Sequence, residues 1–325
     1  MINKLKNQII NGHYITTKEA LELLSASLLS EEHLHELCEA ANAIRRHFCG
    51  NKFDLCTIIN GKCGRCSEDC KYCAQSSHYP TETEYYPLLE KKEFLDGAKY
   101  NEKKGILRYS IVTSGRTLTD EELEELCKCY QCLHENTQIS LCASHGLLNY
   151  QQFLKLKNAG VVRYHNNLET SRRNFPNICT THTYEDKISA IQAAQKAGLS
   201  ICSGGILGLG ETREDRISMA FELRGLGIKS IPINILNPIA HTPFEKNEII
   251  SEDEVRRTVA VFRFILPDAA LRLAGGRGLL ADKGQRIFLS GANAAISGDM
   301  LTTSGILIDH DMKMLQEIGY EVSQL

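Results

Sequence analysis

Short apolar runs rich in β-forming residues alternate with longer helix-patterned segments along most of this chain. This alternation restricts the possible fold more than any other feature of the sequence. Eight strands joined by helices predict the α/β class and, within it, a (β/α)8 TIM-type barrel. The eight runs are residues 55–59, 107–112, 138–142, 161–165, 199–203, 230–235, 269–273 and 292–297.

Helix-start signals between the runs support this prediction. Thr119 begins a capping-box pattern that Glu122 completes, and Leu123 and Leu126 follow on one face. Residues 1–45 also have a helical pattern, and we expect them to form an N-terminal helical extension outside a barrel of residues 46–325. Further helices are predicted at residues 183–197, 213–226 and 251–265.

Composition excludes several classes of protein. The chain has 325 residues, a formal net charge of −3 and 42% hydrophobic residues, as many globular enzymes do. The charge gives no sign of a nucleic-acid surface, and no apolar run approaches the roughly eighteen residues of a membrane helix. The start also lacks an apolar export segment. We therefore expect a cytoplasmic protein with no nucleic-acid or membrane partner.

Thirteen cysteines in such a chain need an explanation, because disulfides are disfavoured in a reducing cytosol. We interpret Cys38 and Cys179 as small buried hydrophobic residues. Four others, at positions 63, 66, 70 and 73, fall within eleven residues directly after the first predicted strand. This density indicates metal binding at the C-terminal mouth of the barrel. Other strand ends carry residues that point to the same mouth, namely Cys142, Asn166, Asn167, Cys202, Asn234 and Arg272.

Zinc and iron are both open as the metal of this cysteine group. Four thiolates can close a tetrahedral zinc site, although a large barrel does not need such a staple. The spacing Cys66-x-x-x-Cys70-x-x-Cys73, with Tyr72 before the last cysteine, resembles the motif of the radical S-adenosylmethionine (SAM) superfamily. This resemblance implies that three thiolates hold a [4Fe–4S] cluster whose fourth iron binds SAM. It leaves Cys63 as a bystander or a minor ligand.

Longer stretches of the chain resemble the biotin synthase family. They are residues 61–76, 164–171, 202–211, 231–236, 271–277 and 291–293. The resemblance implies a radical SAM sulfurtransferase that inserts sulfur between two unactivated carbons of dethiobiotin to form biotin. A 5′-deoxyadenosyl radical released from SAM removes the hydrogen atoms in this family.

The resemblance also implies roles for single residues where positions match. Contacts to SAM fall on Tyr72, Thr113, Ser114, Gly115, Asn167, Glu169, Ile206 and Gly208. Contacts to the ureido ring of dethiobiotin fall on Asn234, assisted by His165 or Asn166. Without the family, the glycine-rich segment 204–211 is typical of a tight strand-to-helix turn, and an asparagine at a strand end is typical of a turn former.

The sulfur donor is where the sequence departs from the family pattern. The better-known members imply an auxiliary [2Fe–2S] cluster held by three cysteines and an arginine, of which Cys142, Cys202 and Arg272 match three. Ser110 stands at the fourth position, and serine is a poor substitute for a thiolate. Cys56 on the neighbouring strand is the candidate replacement, and core packing is its alternative role. The pattern resembles the branch associated with anaerobes, which implies a four-iron auxiliary cluster with an extra sulfide and leaves [2Fe–2S] possible.

Alternative functions remain open from the sequence. Another radical SAM barrel enzyme, such as a cofactor maturase, would share the first cluster but not the set of Cys142, Cys202 and Arg272. A zinc-binding protein without activity is less favoured. The biotin synthase family also implies a flavodoxin or ferredoxin as electron donor, and a homodimer. We interpret three cysteines on the helix after the second strand as structural or incidental, namely Cys127, Cys129 and Cys132. Cys49 is left unassigned.

Overall fold

The computed structural model describes residues 1–25 and 30–325, and its described residues form one sheet of ten parallel strands. The strands are β1 (Lys52–Lys62), β2 (Arg108–Thr113), β3 (Ser140–Ser144), β4 (Arg163–His165), β5 (Ser200–Cys202), β6 (Gly205–Leu207), β7 (Ser230–Ile235), β8 (Ala270–Leu273), β9 (Ala294–Ile296) and β10 (Glu321–Val322). Because β1 pairs with β2 on one side and with β9 on the other, the sheet closes into a barrel. The predicted (β/α)8 barrel is thus confirmed.

All eight predicted runs contain an observed strand. The fifth barrel position is split, since β5 and β6 both pair with β7. The split lies at Gly204, where an added Cβ would come within 1.9 Å of the carbonyl oxygen of Pro232. Only glycine therefore lets the two strands approach at this point. The two-residue strand β10, which pairs in parallel with the first residues of β1, was not predicted.

The helices follow the capping signals of the sequence. The side chains of Thr119, Thr183 and Thr212 each accept a hydrogen bond from the backbone N–H three residues later, and the carboxylate of that later residue accepts from the threonine N–H. The predicted helices are confirmed. The helices are α1 (Ile2–Ile10), α2 (Thr17–Glu22), α3 (Glu31–Cys49), α4 (Lys91–Lys103), α5 (Asp120–Asn136), α6 (Tyr150–Asn158), α7 (Tyr184–Lys196), α8 (Arg213–Gly225), α9 (Glu252–Ile265), α10 (Gln285–Phe288) and α11 (Ile308–Glu317).

Helices α1 to α3 precede the first strand and pack on one side of the barrel. α3 lies against α9 and α1, while α2 lies against α8 and α9. Leu34, Leu37 and Ala41 of α3 are buried in this contact. Among the described residues, none of the helices is both long and apolar enough to cross a membrane.

The apolar core lies between the strands and the surrounding helices, because successive side chains of a strand point to opposite faces. On β2, Tyr109 and Ile111 are buried on the helix side, and Ile111 and Phe94 of α4 both lie against Gly61. Arg108 and Ser110 of the same strand point into the barrel and line its central cavity. The interior thus carries polar and sulfur groups, which leaves it free for chemistry.

Candidate active site in the barrel

A cavity of about 370 Å³ occupies the barrel interior, and every barrel strand contributes to its wall or rim. Its deeper part, here called the lower cavity, carries three thiols and three guanidinium groups. The lower cavity is lined by Cys56, Arg108, Ser110, Cys142, Arg163, Cys202 and Arg272. The structure therefore brings together all the residues that the sequence associated with an auxiliary cluster.

An ion-pair network forms the floor of the lower cavity. Arg272 donates from Nη2 to Asp54 Oδ1 at 2.6 Å, and its Nη1 lies 3.0 Å from Cys56 Sγ. Arg108 donates from Nε to the other Asp54 oxygen at 3.0 Å. Burial alone would raise the pKa of Asp54, but Arg272 and Arg108 hold it well below its usual range. Sequence analysis missed Asp54 and Arg108, because a charged residue inside a strand has no motif.

Two of the three thiols of the lower cavity, Cys56 and Cys142, are buried deeply enough to disfavour their thiolate forms. Burial raises the pKa of Cys56 to about 12 against the opposing effect of Arg272, and burial also raises that of Cys142. Ser230 donates from Oγ to Cys202 Sγ at 3.2 Å. A bound metal removes this penalty, since a coordinating thiol is deprotonated outright. The chemistry of these donors therefore fits an iron–sulfur group better than free thiols.

Ser110 and Cys56 lie on adjacent strands but at different heights. Ser110 pairs with Ile58 on β1 and with Cys142 on β3, whereas Cys56 pairs with Arg108. Cys56 therefore lies two residues below Ile58 on β1, deeper in the barrel than Ser110 and close to Arg272. A ligand at Cys56 instead of Ser110 displaces the ligand set toward the floor.

Near the mouth, Glu169 is held in an unusual position. Its backbone has φ +69°, and Ile206 donates from its N–H to the Glu169 carbonyl at 2.8 Å. Its side chain shares a hydrogen bond with Tyr72, and burial raises its pKa. Its Oε2 is buried with no hydrogen-bond partner among the described residues. A buried acceptor without a partner fits a hydroxyl-bearing ligand, such as the ribose of SAM.

Polar side chains between the mouth and the lower cavity are fixed by the backbone and by one another. Asn234 donates from Nδ2 to the Gly205 carbonyl at 3.1 Å and accepts at Oδ1 from the Gly275 N–H at 2.9 Å. His165 Nε2 lies 3.0 Å from Asn167 Oδ1, and burial lowers the pKa of His165 to about 4. His165 is therefore a neutral hydrogen-bonding group at physiological pH.

Other predicted ligand-contact residues lie outside the cavity lining. Asn166 is turned toward α7, where its Oδ1 accepts from Lys187 Nζ at 3.1 Å. Thr113 Oγ1 lies 3.0 Å from His145 Nδ1, and Ser114 donates from Oγ to the Gly64 carbonyl at 2.8 Å. Ser114 and the neighbouring Gly115 therefore lie next to the loop that carries the clustered cysteines. Ile206 lines the cavity, whereas Gly208 lies beyond it, with its N–H bonded to Glu211.

The cluster loop, defined as residues 63–77, follows β1 directly and covers the mouth through Tyr72. Its fold is set by backbone bonds, since Cys66 N–H donates to the Gln75 carbonyl at 2.9 Å and Cys73 N–H to the Cys70 carbonyl at 3.0 Å. Cys66, Cys70 and Cys73 are half-buried, and none of them forms a disulfide. Cys63 is buried and lines a separate cavity of about 460 Å³. The Cys63 N–H donates to the Tyr86 carbonyl at 3.1 Å, so Cys63 is held by a pairing with Tyr86 rather than by the backbone bonds that shape the loop around the other three cysteines.

Cys179 differs from the simple buried hydrophobic residue that the sequence suggested. It is only 3% exposed, yet its Sγ lies 3.8 Å from Cys70 Sγ and 3.2 Å from His182 Nδ1. Sequence analysis could not predict this contact, because more than a hundred residues separate Cys70 from Cys179.

The fold and the site together define a barrel enzyme of the radical SAM superfamily. Residues 62–223 match the Radical SAM superfamily, and residues 232–321 match the Biotin and Thiamin Synthesis associated domain. The fold is shared with solved structures of methylornithine synthase (PylB; 19% identity, TM-score 0.85, 98% of this chain and 97% of that one) and of the [FeFe]-hydrogenase maturase HydG (18% identity, TM-score 0.84, 99% and 75%). A [4Fe–4S] cluster used with SAM follows from this class.

Within this superfamily the chain belongs to the biotin synthase family. It is 57% identical to the biotin synthase of Akkermansia muciniphila over 99% of this chain and 98% of that protein. It is 56% identical to the biotin synthase of Clostridium botulinum (strain Alaska E43 / Type E3) over 99% of each. These relatives confirm the expected family. The two alternatives, a maturase and a zinc-binding protein without activity, are not supported, since the chain shares only its fold with the maturase.

Proposed function

We propose that this chain converts dethiobiotin to biotin, using a [4Fe–4S] cluster on Cys66, Cys70 and Cys73 and an auxiliary iron–sulfur cluster in the lower cavity. The observation that carries the proposal is the single cavity that runs from the cluster loop to the lower cavity. A radical formed at the mouth and a sulfur atom held at the floor would both reach a substrate bound between them.

The residues near the mouth supply the SAM site. When bound, the [4Fe–4S] cluster supplies the electron that cleaves SAM to the 5′-deoxyadenosyl radical. Glu169 offers its unpartnered Oε2 to the ribose, and Asn167 lies beside it on the same loop. Tyr72 and Ile206 flank this position with aromatic and aliphatic surface for the adenine. Thr113, Ser114 and Gly115 shape the loop side of the site, and Gly208 shapes the turn behind Ile206.

The middle of the cavity suits dethiobiotin. An asparagine amide has two N–H donors and two acceptor lone pairs. Asn234 uses only one of each on the backbone, so it keeps a donor and an acceptor for the ureido ring. Neutral His165 adds a second polar contact. We assign the ureido contacts to these two residues rather than to Asn166, which does not line the cavity.

We assign Cys56, Cys142, Cys202 and Arg272 to the auxiliary cluster. Supporting this set, Arg272 Nη1 lies 3.0 Å from Cys56 Sγ, and Cys142 and Cys202 line the same cavity. The three guanidinium groups offset the negative charge of a sulfide-rich cluster. The move of one ligand from strand β2 to strand β1 favours a four-iron cluster with an extra sulfide over [2Fe–2S].

The decisive test is anaerobic reconstitution followed by assay with SAM, dethiobiotin and a reductant. We expect about eight irons per chain for two four-iron clusters, against about six if the auxiliary cluster is [2Fe–2S]. We also expect 5′-deoxyadenosine and biotin as products. Colourless, iron-free protein that forms no 5′-deoxyadenosine would overturn the proposal.

Cys56 can be tested separately from the rest. In Cys56→Ala we expect iron to fall to about four per chain, because only the cluster-loop site remains filled. The matched control is Cys129→Ala, which removes a buried thiol on α5 and leaves iron unchanged. The double variant Cys56→Ser with Ser110→Cys returns the thiol to strand β2. We expect it to show the spectroscopic signature of a [2Fe–2S] cluster. Unchanged iron in Cys56→Ala would remove Cys56 from the ligand set.

The family also suggests the setting in which the chain works. We propose a flavodoxin or ferredoxin as electron donor, a homodimer as the assembly, and the cytoplasm as the compartment. Light scattering of the reconstituted protein checks the assembly, and replacing dithionite by a purified flavodoxin and its reductase checks the donor.

A further inference from the structure

Arg163 on β4 is a buried cation of the lower cavity to which no ligand has been assigned. It is 8% exposed and lines the cavity wall. The other two guanidinium groups of the lower cavity, those of Arg108 and Arg272, are paired with Asp54. Among the residues that the structure describes, no carboxylate pairs with Arg163. A buried charge without a partner is costly, so this guanidinium indicates an anionic ligand.

The hydrogen bonds that Arg163 makes are long and leave donors over. Its Nε lies 3.4 Å from Ser200 Oγ, and its Nη1 lies 3.4 Å from Ser230 Oγ. Both distances exceed the usual range of about 2.7–3.2 Å for an N–H···O bond. Within the described part of the chain, Nη2 has no hydrogen-bond partner. Two hydroxyl groups therefore position the guanidinium, and it keeps N–H groups for a ligand.

Arg163 lies beside two of the proposed ligands of the auxiliary cluster. It pairs with Cys142 across β3 and β4, and both side chains line the cavity. Ser230, which contacts Nη1 of Arg163, donates from its Oγ to Cys202 Sγ at 3.2 Å. Burial raises the pKa of Cys142, and Arg163 opposes this effect more strongly than Arg108 does. An anion bound to Arg163 would therefore lie next to the cluster.

The position selects the kind of anion. A ligand at this depth must be small, and it must be compatible with thiolate-bound iron. Sulfide meets both conditions, since it is already a component of iron–sulfur clusters. The four-iron cluster favoured above carries one sulfide more than a [4Fe–4S] cube. Arg163 is the guanidinium of the lower cavity that is free to balance this added charge, because Arg108 and Arg272 share Asp54.

We propose that Arg163 holds the extra sulfide of the auxiliary cluster beside Cys142 and Cys202. This inference deepens the proposed function and rests on it, because it requires the four-iron auxiliary cluster. Arg163 is a cofactor-binding residue in this role, and it retains the sulfur atom rather than the iron. A hydrogen bond from a charged donor is roughly twice as strong as a neutral one. Removal of the guanidinium should therefore release sulfide while iron stays bound.

The ratio of sulfide to iron tests this role in a chain that holds only the auxiliary cluster. The double variant Cys66→Ala with Cys73→Ala removes cluster-loop ligands, and after anaerobic reconstitution we expect about four irons and about five acid-labile sulfides per chain. Adding Arg163→Gln should leave about four irons and lower sulfide to about four. Arg108→Gln is the matched control, because Arg108 lines the same cavity but is paired with Asp54, and it should keep about five sulfides.

Isotopic labelling provides a second measurement on the same double variant. Treatment with ³⁴S-sulfide followed by desalting should leave about one exchangeable labelled atom per chain, measured by mass spectrometry of the sulfide released by acid. Arg163→Lys keeps the charge but not the planar fork of N–H donors. We expect it to release the label faster than the unchanged position and more slowly than Arg163→Gln.

The outcomes separate this role from the proposed function. Five sulfides in Arg163→Gln, or loss of iron from both Arg163→Gln and Arg163→Lys, would overturn the role. Unchanged sulfide with weaker binding of dethiobiotin would assign Arg163 to the substrate and overturn it as well. About two irons and two sulfides in the double variant with Arg163 intact would instead contradict the four-iron cluster of the proposed function.

Discussion

The cluster loop and the lower cavity both gather cysteines, but they are built in opposite ways. Cys66, Cys70 and Cys73 lie within eight residues of the cluster loop, whose conformation is set by local backbone bonds. Cys56, Cys142, Cys202 and Arg272 come from four strands, β1, β3, β5 and β8. The first site therefore depends on local spacing, and the second depends on the closure of the whole barrel.

The two regions also differ in burial and in buried charge. Cys66, Cys70 and Cys73 of the cluster loop are half-buried, and Tyr72 of the same loop lines the mouth of the cavity. The lower cavity buries three arginines, of which Arg272 and Arg108 are paired with the single carboxylate of Asp54. Loss of one ligand on the loop should leave the fold intact. Loss of a charged residue at the floor of the barrel should lower the stability of the fold as well, because it leaves a buried charge without its partner.

The largest effect is expected at the cluster loop. Cys73→Ser removes one of the three proposed ligands of the cluster that reduces SAM, so both 5′-deoxyadenosine and biotin should fall to background. Anaerobic single-turnover assays with product analysis by mass spectrometry measure both. Cys63→Ser is the control on the same loop, and it should retain activity because Cys63 lines a different cavity. Equal loss in both variants would contradict the separation of Cys63 from the site.

A lower-cavity ligand should separate the two products. In Cys202→Ala we expect biotin to be lost while 5′-deoxyadenosine formation persists, because only the sulfur source is removed. The same assay reports the ratio of the two products. Parallel loss of both would show that the two regions do not act independently.

The ion-pair network at the floor of the lower cavity should contribute more to the free energy of unfolding than an ion pair at the surface. Asp54→Asn leaves Arg272 and Arg108 buried without their carboxylate, which costs about 3–5 kcal/mol in the free energy of unfolding. Urea denaturation of the cluster-free protein measures it. Asp268→Asn is the matched control, since Asp268 pairs with Lys229 at the surface and should cost at most about 1 kcal/mol. Similar losses in the free energy of unfolding for both variants would contradict a larger stabilising effect of the buried network.

The same carboxylate predicts a pH dependence. Because the pKa of Asp54 is depressed in the folded state, its contribution is present above the unfolded pKa of about 3.9 and is lost as pH falls below it. The unmodified protein should therefore lose stability below about pH 4 more steeply than Asp54→Asn. Denaturation midpoints recorded from pH 6 to pH 3 compare the two slopes, and identical slopes would contradict the linkage.

A smaller effect is expected for SAM binding. Glu169→Gln removes the charge from the unpartnered acceptor, and a charge-assisted hydrogen bond is worth about 1.5–3 kcal/mol, or roughly 10–100-fold in affinity. Equilibrium binding of SAM to the reconstituted protein measures the change. The dissociation constant should rise while the iron content stays constant. Unchanged affinity would move the ribose contact away from Glu169.

Local signals explain which features the sequence could predict. Capping boxes and apolar runs located the helices and the eight strands, because these depend on neighbours a few residues away. The cysteine spacing of the cluster loop is equally local. Strand β10 and the split at Gly204 were missed, since two residues give no periodicity and the close approach to Pro232 is a contact between strands. The strand-end pattern singled out Cys142, Cys202 and Arg272, and the family resemblance then assigned them to an auxiliary cluster.

The sequence alone determined a closed barrel, its family and a metal-binding loop, because periodicity and short spacing are properties of neighbouring residues. Only the tertiary structure decided which groups meet across the barrel. It put Cys56 against Arg272, placed Asp54 beneath two arginines, and brought Cys179 to Cys70. The physical reason is that such contacts join residues tens or hundreds of positions apart, and their geometry exists only once the sheet has closed.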